Sequence, residues 1–181
     1  MALVSALLLL LVLTILGVGM FRSFGLQERI AGNTRERQRA LHAAQTAESY
    51  AEWWLTASRG VNATTGVSCS TLSTTPQVCA TVITNPVLVP YSIGVAYTPP
   101  GMTVGSAGAL DNYAQAPAFY ISFLSGFYDK TSGTQVNNYQ VDATSYAGNT
   151  TSVVVVESAF TVNVTGTAMS KNQKFVSLGG P

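Results

Sequence analysis

MALVSALLLLLVLTILGVGMF, residues 1–21, runs without a proline into RSFGLQERIAGNTRERQRALHAAQTAESYAEWWLTA, residues 22–57. The first 21 residues carry no charge, and Ser5 and Thr14 are their only polar interruptions. At 1.5 Å rise per residue such a helix spans about 30 Å, the thickness of one hydrocarbon layer. From Leu26 to Ala57, apolar residues recur at helical spacing (Ala40, Leu41, Ala44, Ala47, Ala51, Trp54, Leu55), which predicts a stripe facing a folded body. Glu28, Arg29, Arg35, Glu36, Arg37 and Arg39 fall on the opposite surface.

Working outward, the charge pattern divides the chain into three stretches. Only 9% of residues are charged, against roughly 25% in an average protein. Residues 22–59 hold six of the nine cations and four of the eight anions, whereas residues 60–181 hold only Lys130, Lys171, Lys174, Asp111, Asp129, Asp142 and Glu157. The division is therefore 1–25, an apolar half-helix for a membrane or a filament core; 26–59, an amphipathic half-helix; and 60–181, a β-rich head. A net charge of +1 gives little pull on nucleic acid, and the tyrosines do not alternate with basic residues, so no nucleic-acid partner is expected.

Beyond Gly60, short runs of Val, Ile, Thr, Phe and Tyr are separated by Pro, Gly and Asn, the pattern of strands and turns. Strands are expected at Val78–Thr84, Leu88–Ala96, Ala118–Phe127, Tyr139–Tyr146 and Val153–Val164, with a weaker one at Lys174–Leu178. A β-meander packed on the helix is the economical topology. Thr98–Pro117, with Pro99, Pro100, Gly101, Gly105 and Gly108, reads as a long irregular loop. Cys69 and Cys79 enclose nine residues, and an even cysteine count outside the cytoplasm favours a disulfide, two buried thiols being the alternative. A loop this short would stabilise the fold by roughly 3 kcal/mol in the chain-entropy model.

The apolar N-terminus admits three readings. A signal peptide has a charged start, a shorter apolar run and a small-residue cleavage site, none of which fits. An ordinary anchor would place the head in the cytoplasm, because the arginines follow the span. A basic leader cleaved ahead of Met1 removes that conflict, and aliphatic residues on every face suit a helix that leaves the bilayer for a filament core.

The stretch ALVSALLLLLVLTILG (2–17), followed by LQERIAGNTRERQRALHAAQTAE (26–48), resembles the N-terminal region of PilX-type minor pilins, a branch of the type IV pilins. YQVDATSYAGNTTSVVVVESAF (139–160) is similar to that family's closing strands. The resemblance implies an α+β type IV pilin fold, a long N-terminal helix on an antiparallel β-sheet head. It implies Met1 as the processed N-terminus, and Leu3, Val4, Ser5, Leu7, Leu8 and Leu11 as filament-core packing residues.

Most pilins carry glutamate at the fifth position, thought to pair with a neighbour's N-terminal ammonium. A buried carboxylate is costly unless so paired, and Ser5 here fits a subunit with no such neighbour, as at a filament tip. Gly17, Gly19 and Gly25 each cost about 1 kcal/mol relative to Ala in a helix, which marks 17–25 as a stretch that unwinds in a filament. Glu28, Arg29, Arg35, Glu36 and Arg39 would be inter-subunit charges that set register in a filament, a merely solvated face being the alternative.

The expected partners are other pilin subunits in a helical filament and the inner membrane before assembly, with the extracellular pilus as destination. A minor, assembly-priming subunit is the first expectation. The alternatives are the main repeating subunit, or a tip module that binds host or sister-cell surfaces through the Cys69–Cys79 and Thr98–Pro117 loops. No enzyme, cofactor or metal is expected. His42 is the only histidine, no G-x-S-x-G or S-x-x-K motif occurs, and GVGMFRSFG lacks dinucleotide-loop spacing. Three N-x-[ST] matches, at Asn62, Asn149 and Asn163, are uninformative in a Thr-rich head.

Overall fold

The absence of proline before residue 76 allows one uninterrupted helix, and α1 spans Ala2–Gly60. The computed structural model describes residues 2–60, 62–105, 112–131, 133–163 and 168–176. The processed N-terminus expected at Met1 and the centre of the Thr98–Pro117 loop lie outside the described residues. The chain falls into two compact units, Met1–Glu36 and Arg37–Pro181. The first is helix alone, and its aliphatic side chains from Leu3 to Ile30 are exposed.

The second unit is an α+β head. After α1 come β1 (Val78–Cys79), α2 (Val89–Ile93), β2 (Val95–Ala96), β3 (Ala118–Asp129), β4 (Thr134–Tyr146), β5 (Val153–Asn163) and β6 (Ala168–Val176). Strands β3 to β6 form the expected antiparallel meander, while β1 lies parallel to β3 at the other edge and β2 pairs with β3 antiparallel. The sheet is thus mixed at one edge, where a purely antiparallel head was expected.

The helix seats on the inner face of this sheet through small side chains. Ala47, Ala51 and Leu55 pack with Phe119, Ile121, Tyr139, Val141 and Phe160. A turn or two earlier, Ala40 and Ala44 meet Ala147, Val154 and Val156, with Leu41 partly buried beside them. Between these stripes sit two buried carboxylates, Glu48 and Glu52, which the apolar spacing did not foretell. Glu52 Oε1 accepts a hydrogen bond from Ser158 Oγ at 2.9 Å, a polar tie from helix to sheet.

The strand expectations need four corrections. Leu88–Ala96 is not one strand: Val89–Ile93 is the helical turn α2 and only Val95–Ala96 is extended. Pro90 has no N–H for a ladder and a φ suited to a helix start, and Asn85 Oδ1 holds the N–H groups of Val87 and Leu88. Val78–Thr84 is a strand only at Val78–Cys79, because the chain then leaves the sheet edge and crosses to the outer face.

At the other end, β4 starts at Thr134 instead of Tyr139, since Asn137 and Asn138 find partners. Asn137 Nδ2 donates to Ala63 O and Tyr139 Oη, and Asn138 bridges Ser125 and Thr161. The final strand starts at Ala168, six residues before the expected Lys174, in register with β5. Its expected end at Leu178 and the Val164 end of β5 lie outside the described residues.

Residues 80–94 form a strap over the outer face of the sheet. Tyr120 Oη donates to Thr81 O (2.9 Å), Thr144 Oγ1 to Pro86 O, and Tyr91 Oη to Thr144 O (3.1 Å). The sheet is therefore buried on both sides along Ala118–Ser122 of β3 and Val141–Ser145 of β4.

The approach of β1 to the preceding loop depends on Gly66. Its φ is +92°, and a Cβ there would lie 2.7 Å from the Cys79 carbonyl carbon, where Val67 and Cys79 form a bridge. Gly66→Ala is expected to destabilise the head by about 1–3 kcal/mol in urea denaturation. An unchanged midpoint would show that the loop relaxes without cost.

Candidate assembly surface

The residues singled out from the sequence lie in two places. Leu3, Val4, Leu7, Leu8 and Leu11 all point outward from α1, each more than half exposed, with Ser5 on the same surface. This helix is long and apolar enough to cross a membrane, and none of its most apolar window is buried. So much uncovered aliphatic surface is unfavourable in water at roughly 25 cal/mol per Å², and calls for lipid or other helices around it.

Gly17, Gly19 and Gly25 are helical here, and a Cβ built on any of them meets nothing within 4 Å. Among the described residues no packing requires glycine at these positions.

Glu28, Arg29 and Arg35 are exposed and Glu36 is partly covered. Arg39 is different, because it belongs to the head. Its Nη2 donates to Asn112 O at 3.2 Å and its guanidinium lies 4.7 Å from the Tyr113 ring centre. Sequence spacing alone put Arg39 with the other charges; only the fold brings Asn112 and Tyr113, more than seventy residues away, against it.

Of the two loops, the first is closed by the Cys69–Cys79 disulfide, which selects the bonded alternative over free thiols. Through Cys79 it is fastened to β1 and so to the sheet edge. The second is paired at its base: Tyr97 N donates to Pro117 O, Tyr113 N to Thr103 O and Gly105 N to Tyr113 O. Pro99, Pro100 and Met102 of this loop, with Tyr113, flank a shallow groove of about 240 Å³ against His42 and Thr46 of α1.

Sequence reasoning missed an aromatic ledge next to it. Tyr50 stacks on Tyr97 with centroids 4.2 Å apart and on Trp53 at 5.7 Å, and Trp53 is largely exposed. The i, i+3 spacing of Tyr50 and Trp53 was a visible signal; the contribution of Tyr97 was not. Among the described residues no group of three or more His, Cys, Asp or Glu could hold a metal ion.

A long apolar-to-amphipathic helix seated on a β-meander, with aliphatic residues bare along its first turns, is consistent with a type IV pilin fold. The PilX N-terminal family model matches residues 1–47, about a quarter of the chain, and supports a PilX-type, type IV pilin-like protein. The match covers the helix as far as Ala47 and does not reach the similarity seen at 139–160. No curated protein and no solved structure matches the chain.

Replacing both cysteines with serine should lower head stability by about 3 kcal/mol and free the 70–78 loop. Urea denaturation of the oxidised, reduced and Cys69→Ser/Cys79→Ser proteins tests this. Equal midpoints would mean that the sheet edge holds without the crosslink.

Proposed function

We propose that this PilX-type subunit is a minor pilin that helps prime filament assembly and stays at or near the tip. The coarser statement, a minor pilin-like subunit of a type IV pilus, rests on the family match at residues 1–47. Ser5 carries the finer one. A subunit without a carboxylate at that depth offers no charge partner to a neighbour's terminal ammonium, so it suits a position where that pairing is absent.

In this reading residues 1–25 pass from the inner membrane into the filament core, 26–59 carry the register-setting charges, and 60–181 form the extracellular head. Leu3, Val4, Leu7, Leu8 and Leu11 exchange lipid for the helices of other pilin subunits. Glu28, Arg29, Arg35 and Glu36 meet those partners, while Arg39 contributes by fixing Tyr113 and the loop that flanks α1.

Quantitative mass spectrometry of sheared pili should find this chain at a few copies per filament, with fewer filaments when it is deleted. A stoichiometry matching the most abundant subunit would make it the repeating subunit instead.

The glycines offer a second test. Gly17→Ala/Gly19→Ala/Gly25→Ala removes about 3 kcal/mol of helix-unfavourable propensity in a region where added methyl groups meet nothing in the chain. The expected outcome is unchanged head stability in micelles and reduced incorporation into pili. Wild-type incorporation would show that 17–25 stays helical in the filament.

A further inference from the structure

Asp142 is fully buried in the middle of β4, on the face of the sheet turned away from α1. Directly across from it are Tyr120 on β3 and Glu157 on β5. Gln140 Nε2, two residues along the same strand, donates to both carboxyl oxygens at 3.2 Å.

The strap closes over this position. Tyr120 is hydrogen-bonded to Thr81 O on one side of Asp142, and Thr144 to Pro86 O on the other. Tyr91 adds its bond to Thr144 O, and its ring stacks on Tyr146 at 5.2 Å.

No cation faces the carboxyl from these elements. Residues 80–96 contain no Asp, Glu, Lys, Arg or His, the β3 neighbours are Ala118, Tyr120 and Ser122, and β5 contributes another carboxylate, Glu157. Lys174 occupies the register position beyond Glu157 on β6, one strand further out.

We propose that residues 80–94 are a proton-operated latch, held closed over the outer sheet face while Asp142 is neutral and loosened when it ionises. A neutral carboxyl can lie under an uncharged strap at little cost, whereas a carboxylate there has lost its water and gained only one amide donor. Across the sheet face the strap is held by three side-chain hydrogen bonds and one ring contact, and by no charge pair, while backbone bonds from Ala80 N to Val67 O and from Ser73 N to Gly94 O hold its two ends. It therefore opens before the meander does.

Burial, with Glu157 adding to it against the opposing Gln140 bond, raises the Asp142 carboxyl from its ordinary 3.8 to about 7. A carboxyl raised in the folded state stabilises that state fully below its unfolded value. The stabilisation is lost as pH rises from about 4 to about 7, and nothing further is lost above that. Tyr120 and Tyr91, both pushed up chiefly by burial, stay protonated throughout and remain donors to the sheet and strap.

Hydrogen exchange of the full chain in detergent micelles, corrected for intrinsic rates, tests the latch at about pH 5 and about pH 8.5. Protection of peptides within 80–94 should fall at least tenfold at the higher pH, since one pH unit past the midpoint is worth about a factor of ten. Peptides from β3 to β5 should keep theirs. Asp142→Asn should keep the strap protected at both values.

If Asp142→Asn does not fold, Glu157→Gln serves: removing the neighbouring charge lets Asp142 ionise sooner, which moves the transition to lower pH. Protection of 80–94 that ignores pH in the wild-type chain overturns the latch. So does a pH response retained by Asp142→Asn, or an unmoved transition in Glu157→Gln.

Discussion

A helix can come close to a β-sheet only where its side chains are small, and the head is built on that allowance. Ala40, Ala44, Ala47 and Ala51, each completely buried, bring the α1 backbone down onto β4 and β5, while Leu55 and the aromatic rings of Phe119, Tyr139 and Phe160 fill the wider end. Larger residues would lift the helix and uncover the ring cluster. The same closeness puts Glu52 within reach of Ser158, so a carboxylate can be buried in the interface without losing every hydrogen bond.

The first unit obeys the opposite rule. Its aliphatic side chains are left exposed, a surface that lipid or other apolar helices would have to cover, and the PilX N-terminal family match falls on this stretch. A single helix thus carries two kinds of surface, one completed by its own sheet and one completed only from outside. Leu8 and Ala44 are both apolar helical residues; what separates them is that the head covers Ala44 and leaves Leu8 bare.

Both surfaces were legible in the sequence, since 3.6-residue periodicity and a charge-free run of membrane length are local signals. The long strands were legible at their Val-, Phe- and Tyr-rich centres, for the same reason. What was hidden depended on distant partners. The start of β4 at Thr134 rests on Asn137 reaching Ala63, and the helical turn at Val89–Ile93 lies in a run of Val, Leu and Ile that reads as strand until Pro90 is weighed. Of the assembly surface, the bare aliphatics could be read directly, whereas the capture of Arg39 by Asn112 and Tyr113, and the ring of Tyr97 against Tyr50, could not.

The alanine contacts also bear on how the head carries mechanical load. A pull along the axis of α1 would act parallel to its seam with the sheet, so the contacts from Ala40 to Leu55 would share the force and would have to yield together. A pull directed away from the sheet would open them one after another. Interfaces loaded in parallel resist far larger forces than interfaces peeled in series, so the orientation of this one helix makes the head strong along the helix axis and weak across it.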